Sequence, residues 1–259
     1  MTSAAMNCNQ DTLDRYLNSY ACQSFRDQAD RDYIAARLAC RYELFPQFLW
    51  ASQQAIEKYL KAILLFNRIK ARNVGHDLRE ALRLLGEIPF EIKFSKRTKG
   101  FLEHIATYGQ YRYLDVPFFV VGFALVDLDL CIWELRRYCQ VLQVFGKTLP
   151  ANEQAMLVSA LKRLEESEKE ARCKFSLSGG LLEAMLRDTE HPSRPALIWQ
   201  NPCYGSKRRK IKVKDYLNGQ NPHLTHFPEM LDELLKYVFI PPAMVKAYKA
   251  HALAKLGER

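Results

Sequence analysis

The sequence predicts a mainly α fold: an up-and-down antiparallel helical bundle with a smaller C-terminal α+β appendage. Three observations predict it. Trp50–Phe66 holds no Pro or Gly, and its apolar residues Trp50, Ile56, Tyr59, Leu60, Ile63 and Leu64 follow a repeat near 3.6. Other segments of the first 142 residues show the same period and are joined by short connections, which favours antiparallel neighbours. After about residue 148 the texture changes, and prolines and alternating apolar residues enter. Residues 1–148 are therefore expected to form the bundle. Residues 149–259 are expected to form a helical extension with a small basic β-hairpin.

The elements follow in order. Asp11–Ser24 and Asp27–Tyr42 read as two helices, the second with Tyr33, Ile34, Arg37, Leu38 and Arg41 in helical register. Pro46 marks the turn into the Trp50 helix or stands in its first turn. Asp77 is placed to cap a helix over Leu78–Leu85, and Gly86 to end it. A helix is expected from about Ser95 to Tyr111. Another is expected over Phe118–Leu142, with Val116–Val126 as its buried, apolar start. Glu153–Phe175 and Leu181–Arg187 read as helices. Ala196–Trp199 and Lys210–Tyr216 read as strands able to pair as a hairpin. Phe227–Tyr237, with Pro228 in its first turn, and Ala243–Leu256 complete the chain as helices.

Composition bounds the function. The chain of 259 residues is 48% hydrophobic and 12% aromatic, enough for a sizeable core. Its net charge of +9 is spread over both halves, and it permits an anionic partner without demanding one. The seven cysteines are scattered without a paired CxxC spacing, a reduced cytoplasmic pattern rather than a disulfide framework or zinc site. The N-terminus has no signal-peptide pattern, and no apolar run is long enough to span a bilayer, so no membrane association is expected. There is no Gly-rich phosphate loop and no hydrolase or metalloprotease motif. His223 and His226 lack a third ligand nearby, so no metal or other cofactor is expected.

Gln54, Glu57, Lys58 and Lys61 lie at i, i+3, i+4 and i+7 and share one helix face. That face reads either as solvated surface or as a polar face that meets an anion or another subunit. The string QQAIEKYLKA at Gln53–Ala62, followed by His76-Asp77-Leu78 and Tyr111-Arg112-Tyr113, resembles the HEPN family (higher eukaryotes and prokaryotes nucleotide-binding). The resemblance covers roughly Ala29 to Tyr138. It implies a helical bundle, RNA or nucleotide binding, a homodimer, and company such as bacterial toxin–antitoxin or defence systems.

In ribonucleases of that family an Arg is followed after four to six residues by a His. The imidazole moves a proton at the ribose 2′-hydroxyl, and the guanidinium steadies the phosphorane charge. Arg112 matches that Arg, but Pro117, Phe118 and Phe119 stand where the His belongs, and none transfers a proton. Arg112 has a structural alternative, pairing with Asp115 or with a buried carboxylate such as Glu57. Arg97 and His104 have the right spacing one helix earlier, about 10 Å apart along one helix face; chance accounts for that match equally simply. His76 beside Asp77 reads as the neighbour of an N-cap or as a phosphate contact at a helix start. In Lys207-Arg208-Arg209-Lys210-Ile211-Lys212-Val213-Lys214 all but Ile211 and Val213 are basic, with Trp199, Tyr204 and Tyr216 close in sequence. This run reads either as a polyanion contact or as an edge strand protected by lysines.

Three function classes remain: an RNA- or nucleotide-binding protein without efficient catalysis, a metal-independent endoribonuclease, and a non-enzymatic module that dimerises or docks a protein partner.

Overall fold

The computed structural model describes residues 10–109, 117–143, 151–169, 176–205 and 217–257. Helix α1 (Gln10–Tyr20) runs through a π-helical segment (Ala21–Arg26) directly into α2 (Asp27–Arg41). The two expected helices are thus one continuous rod. No Pro or Gly separates them, and the wider π turn absorbs the change of register without a break. It also directs Arg26 inward, where it donates to the Gly179 carbonyl at 3.3 Å.

Helix α3 (Phe45–Phe66) follows a tight connection and takes Pro46 into its first turn, where the missing N–H costs no intrahelical bond. It is the axis of the bundle. Ala55, Ile56, Tyr59, Leu60, Ala62, Ile63 and Leu64 are all fully buried, and α2, α4, α5 and α6 pack around it. Each such Leu or Ile contributes about 1.5–3 kcal/mol relative to an exposed side chain. Helix α4 (Leu78–Leu84) is capped by Asp77, whose carboxylate accepts from the N–H groups of Arg79 and Glu80, and it ends in a 3₁₀ turn at Leu85–Glu87. Helix α5 (Lys96–Tyr108) is capped by Ser95 through the Thr98 N–H.

The apolar run after Pro117 does not form the expected helix. Phe118–Val121 is strand β1, and helix α6 (Ala124–Arg136) begins only after Gly122. Phe-Phe-Val-Val suits a half-buried pleat better than a helix. Phe118 and Val120 are accordingly buried, while Phe119 and Val121 are 40% and 36% exposed.

Beyond α6 come α7 (Ala151–Lys169), α8 (Leu181–Arg187) and α9 (Arg194–Ile198). The strand expected at Ala196–Trp199 is therefore helical. Pro195 opens the turn, and Ala196 and Leu197 face the core; four apolar residues carry too little period to separate strand from helix. Strand β2 (Leu217–Gln220) pairs antiparallel with β1, in the register Phe118 with Gln220 through Val121 with Leu217. The hairpin partner is thus β1 and not residues 196–199. The strand expected over Lys210–Tyr216 lies outside the described residues.

The chain closes with α10 (His223–His226), a 3₁₀ turn at Pro228–Met230, α11 (Leu231–Leu234) and α12 (Pro242–Gly257). The helix expected over Phe227–Tyr237 is split between that 3₁₀ turn and the short α11. One apolar core includes residues from Ala21 to Tyr204, among them Leu177, Leu182, Met185, Leu197 and Cys203. A second, small cluster joins Leu224, Leu231, Ile240, Met244 and Tyr248. Residues on both sides of the expected 148/149 boundary therefore share one core.

Candidate functional site

The polar face of α3 is largely taken up by neighbouring elements. Glu57 is 4% exposed. Its two oxygens meet Lys61 Nζ at 2.7 Å and His76 Nδ1 at 2.9 Å. Lys61 also donates to the Gly75 carbonyl at 2.7 Å. Gly75 has φ +54, a conformation glycine adopts without strain, and this turn lays His76 over α3. Lys58 pairs with Asp32 of α2. Gln54 is half-buried. Of the four residues, Glu57, Lys58 and Lys61 thus tie α3 to α2 and to the loop before α4, and His76 joins them.

The start of α4 offers little to a phosphate. The Asp77 carboxylate already accepts from the Arg79 N–H at 2.9 Å and the Glu80 N–H at 3.2 Å, and its charge opposes a second anion there.

Arg97 and His104 sit on one face of α5, but each is engaged. Arg97 pairs with Asp127 of α6 and lies 5.4 Å from the Phe123 ring centroid. His104 is half-buried in an aromatic cluster, its ring centroid 4.9 Å from Tyr108 and 5.0 Å from Phe119. Burial lowers its pKa, against a backbone hydrogen bond with Phe119 that raises it. A histidine held neutral among rings, and separated from an arginine bound to a carboxylate, is a weak acid–base pair. Arg112 lies outside the described residues, as do Lys207, Arg208, Arg209, Lys210, Lys212 and Lys214.

The densest polar constellation is one that sequence reasoning missed. Arg136 of α6 is fully buried and donates to both oxygens of Asp30 (2.8 and 3.0 Å), to both oxygens of Glu183 (2.8 and 3.0 Å) and to the Tyr204 hydroxyl (3.0 Å). Tyr59 of α3 donates to Asp30 from the other side. Two turns along α2, Arg37 pairs with Asp129 and donates to the carbonyls of Ala196 and Trp199. Tyr33 donates to the same Asp129 oxygen at 2.6 Å, and Asn201 donates to the Tyr33 hydroxyl at 2.8 Å.

Burial drives the titration of these groups. It raises Asp30 and Asp129 above the usual carboxylate range, with the arginines acting against it. At Glu183 burial also acts upward, but the Arg136 guanidinium outweighs it and holds the carboxyl below its usual value. A signal was present in the sequence: besides the half-buried Asp127, only Asp129, Glu134 and Arg136 interrupt an apolar helix, and such charges need buried partners.

Residues 22–120 match the family model described as HEPN domain. That stretch runs from the π-helical segment through α5 to β1 and includes all of α3. No curated protein and no solved structure matches the chain. Among the described residues, no helix is long and apolar enough to cross a membrane.

Proposed function

We propose that the chain is an RNA-binding HEPN protein without efficient catalysis, acting in the cytoplasm as a homodimer. The observation that carries this reading is that the described residues flanking the basic run Lys207–Lys214 are both held by the fold. Tyr204, three residues before it, is 5% exposed and bonded to the buried Arg136. Leu217, three residues after it, begins the strand that pairs with β1. A segment in which six of eight residues are basic thus falls, in sequence, between these two held flanks. Charge at that density neutralises phosphates, and counterion release then favours a polyanion. The engaged state of Arg97 and His104, and the residues Pro117, Phe118 and Phe119 where a catalytic His belongs, favour binding over cleavage.

The test is RNA affinity against salt concentration, for the wild type and for a variant with Lys207–Lys214 neutralised to Gln. For a single strand the slope of log K against log salt is about −0.7 per phosphate neutralised. The variant is expected to lose affinity and to show a shallower slope. Equal, negligible binding by both proteins would remove the reading.

A further inference from the structure

Six aromatic or cationic side chains line one strip where α5 meets β1 and the turn into α6. At one end Lys96 and Arg97 are exposed on the first turn of α5. Arg97 is fixed there by Asp127, with the Phe123 ring beside its guanidinium and Phe123 itself 47% exposed. About 10 Å along the helix, His104 and Tyr108 meet Phe119 edge to face, at 5.0 and 5.5 Å between centroids. Between the two ends lies Gly100, with nothing within 4 Å of where a Cβ would stand, so no side chain walls off the strip.

The strand register keeps Phe119 uncovered. Its partner across the sheet is Gly219, which has no side chain to lay over the ring. Phe119 remains 40% exposed although Tyr108 and His104 pack against it. Two rings are thus packed against their neighbours, each with exposed surface, beside a turn of helix that carries Lys96 and the Asp127-bound Arg97.

We infer that Phe119 and Phe123 form a two-step stacking platform for the unpaired bases of single-stranded RNA, with Lys96 meeting a phosphate. This rests on the RNA-binding reading above and names the chemistry of recognition. The rings supply a face that any base can stack on, without reading its identity. A purely apolar protein partner would have no use for cations at the end of the strip, and a duplex offers no free base face.

The test uses the full chain, a fluorescent 12-nucleotide single strand of adenosines and a 12-base-pair RNA duplex, both read by anisotropy. The wild type is expected to prefer the single strand. In the Phe119→Leu/Phe123→Leu double variant, which keeps apolar bulk and loses both π faces, single-strand affinity is expected to fall about tenfold or more while duplex affinity stays put. Phe119→Trp is expected to bind like the wild type and to show quenched indole emission on binding. Wild-type binding with an unchanged double variant overturns the platform and leaves the RNA reading intact, as does an equal loss on both probes. No wild-type binding to either probe overturns the RNA reading itself, and the platform with it.

Discussion

Arg136 and Glu183, 47 residues apart in sequence, meet in a two-pronged ion pair at 2.8 and 3.0 Å, with the arginine fully buried. Glu183 stands on α8, beyond the HEPN match, and Arg136 on α6, just past its end at residue 120. A buried arginine is costly unless every donor is met. Here Asp30 supplies one side and the α8 segment the other, so residues 177–204 complete the domain's polar interior. Arg37 repeats the pattern two turns further on, with the carbonyls of Ala196 and Trp199 as acceptors.

Arg136→Ala leaves Asp30 and Glu183 buried without their cation. Breaking a buried pair in this way destabilises by about 3–5 kcal/mol. Urea unfolding is the measurement. A loss below about 1 kcal/mol would show that the network contributes little to holding the two segments together.

The pH dependence follows from the same site. Glu183 is held below its usual range in the folded chain, so its contribution is present above the unfolded value, about 4.3, and is lost as pH falls through the folded value. Asp30 and Asp129 are raised by burial, so theirs runs the other way: present at low pH and lost as pH rises through their folded values. Glu183→Gln should therefore flatten the acid-side loss of stability below about pH 4.3 and leave the opposing slope in place. Melting temperatures measured between pH 3 and pH 7, on wild type and variant together, check this.

Gly205 closes the last turn before the basic run. A Cβ there would stand 2.7 Å from Ile198 Cβ and 2.9 Å from its Cα, and the backbone atom cannot step aside. Gly205→Ala should cost about 1–3 kcal/mol, the usual range for overpacking. Gly100→Ala, with open space around it, should be neutral or slightly stabilising, because alanine has the better helix propensity. Comparing the two denaturation midpoints separates steric strain from any general intolerance of glycine replacement.

What was legible in the sequence follows physical rules. The period of α3 stood out because its apolar residues recur over many turns, and Asp77 stood out because a cap needs only local chemistry. β1 was misread as helix because four aromatic and β-branched residues have no period of their own and the neighbouring α6 lent them one. The Arg136–Glu183 and Arg37–Asp129 pairs were invisible because charges read as surface until a distant partner is known. Glu57 was noticed for its place on a polar stripe, but its burial under His76 and Lys61 is set by a loop 18 residues downstream. On that stripe Lys58 reaches α2, while Glu57 and Lys61 meet each other and the loop before α4.

The enzyme reading yields the last prediction. An endoribonuclease working through His104 would need that ring free to take and return a proton at a ribose hydroxyl. The ring instead packs against Tyr108 and Phe119, and burial lowers its pKa, so it is a poor source of the proton that the leaving oxygen requires. Arg97, the guanidinium at the right spacing from His104, already neutralises Asp127. End-labelled RNA incubated with the full chain and EDTA is therefore expected to stay intact, with the wild type and His104→Ala indistinguishable. Cleavage by the wild type that disappears in His104→Ala would return the pair on α5 to the centre of the mechanism. Cleavage that persists in His104→Ala but is lost in Arg112→Ala would move the chemistry to the stretch before β1.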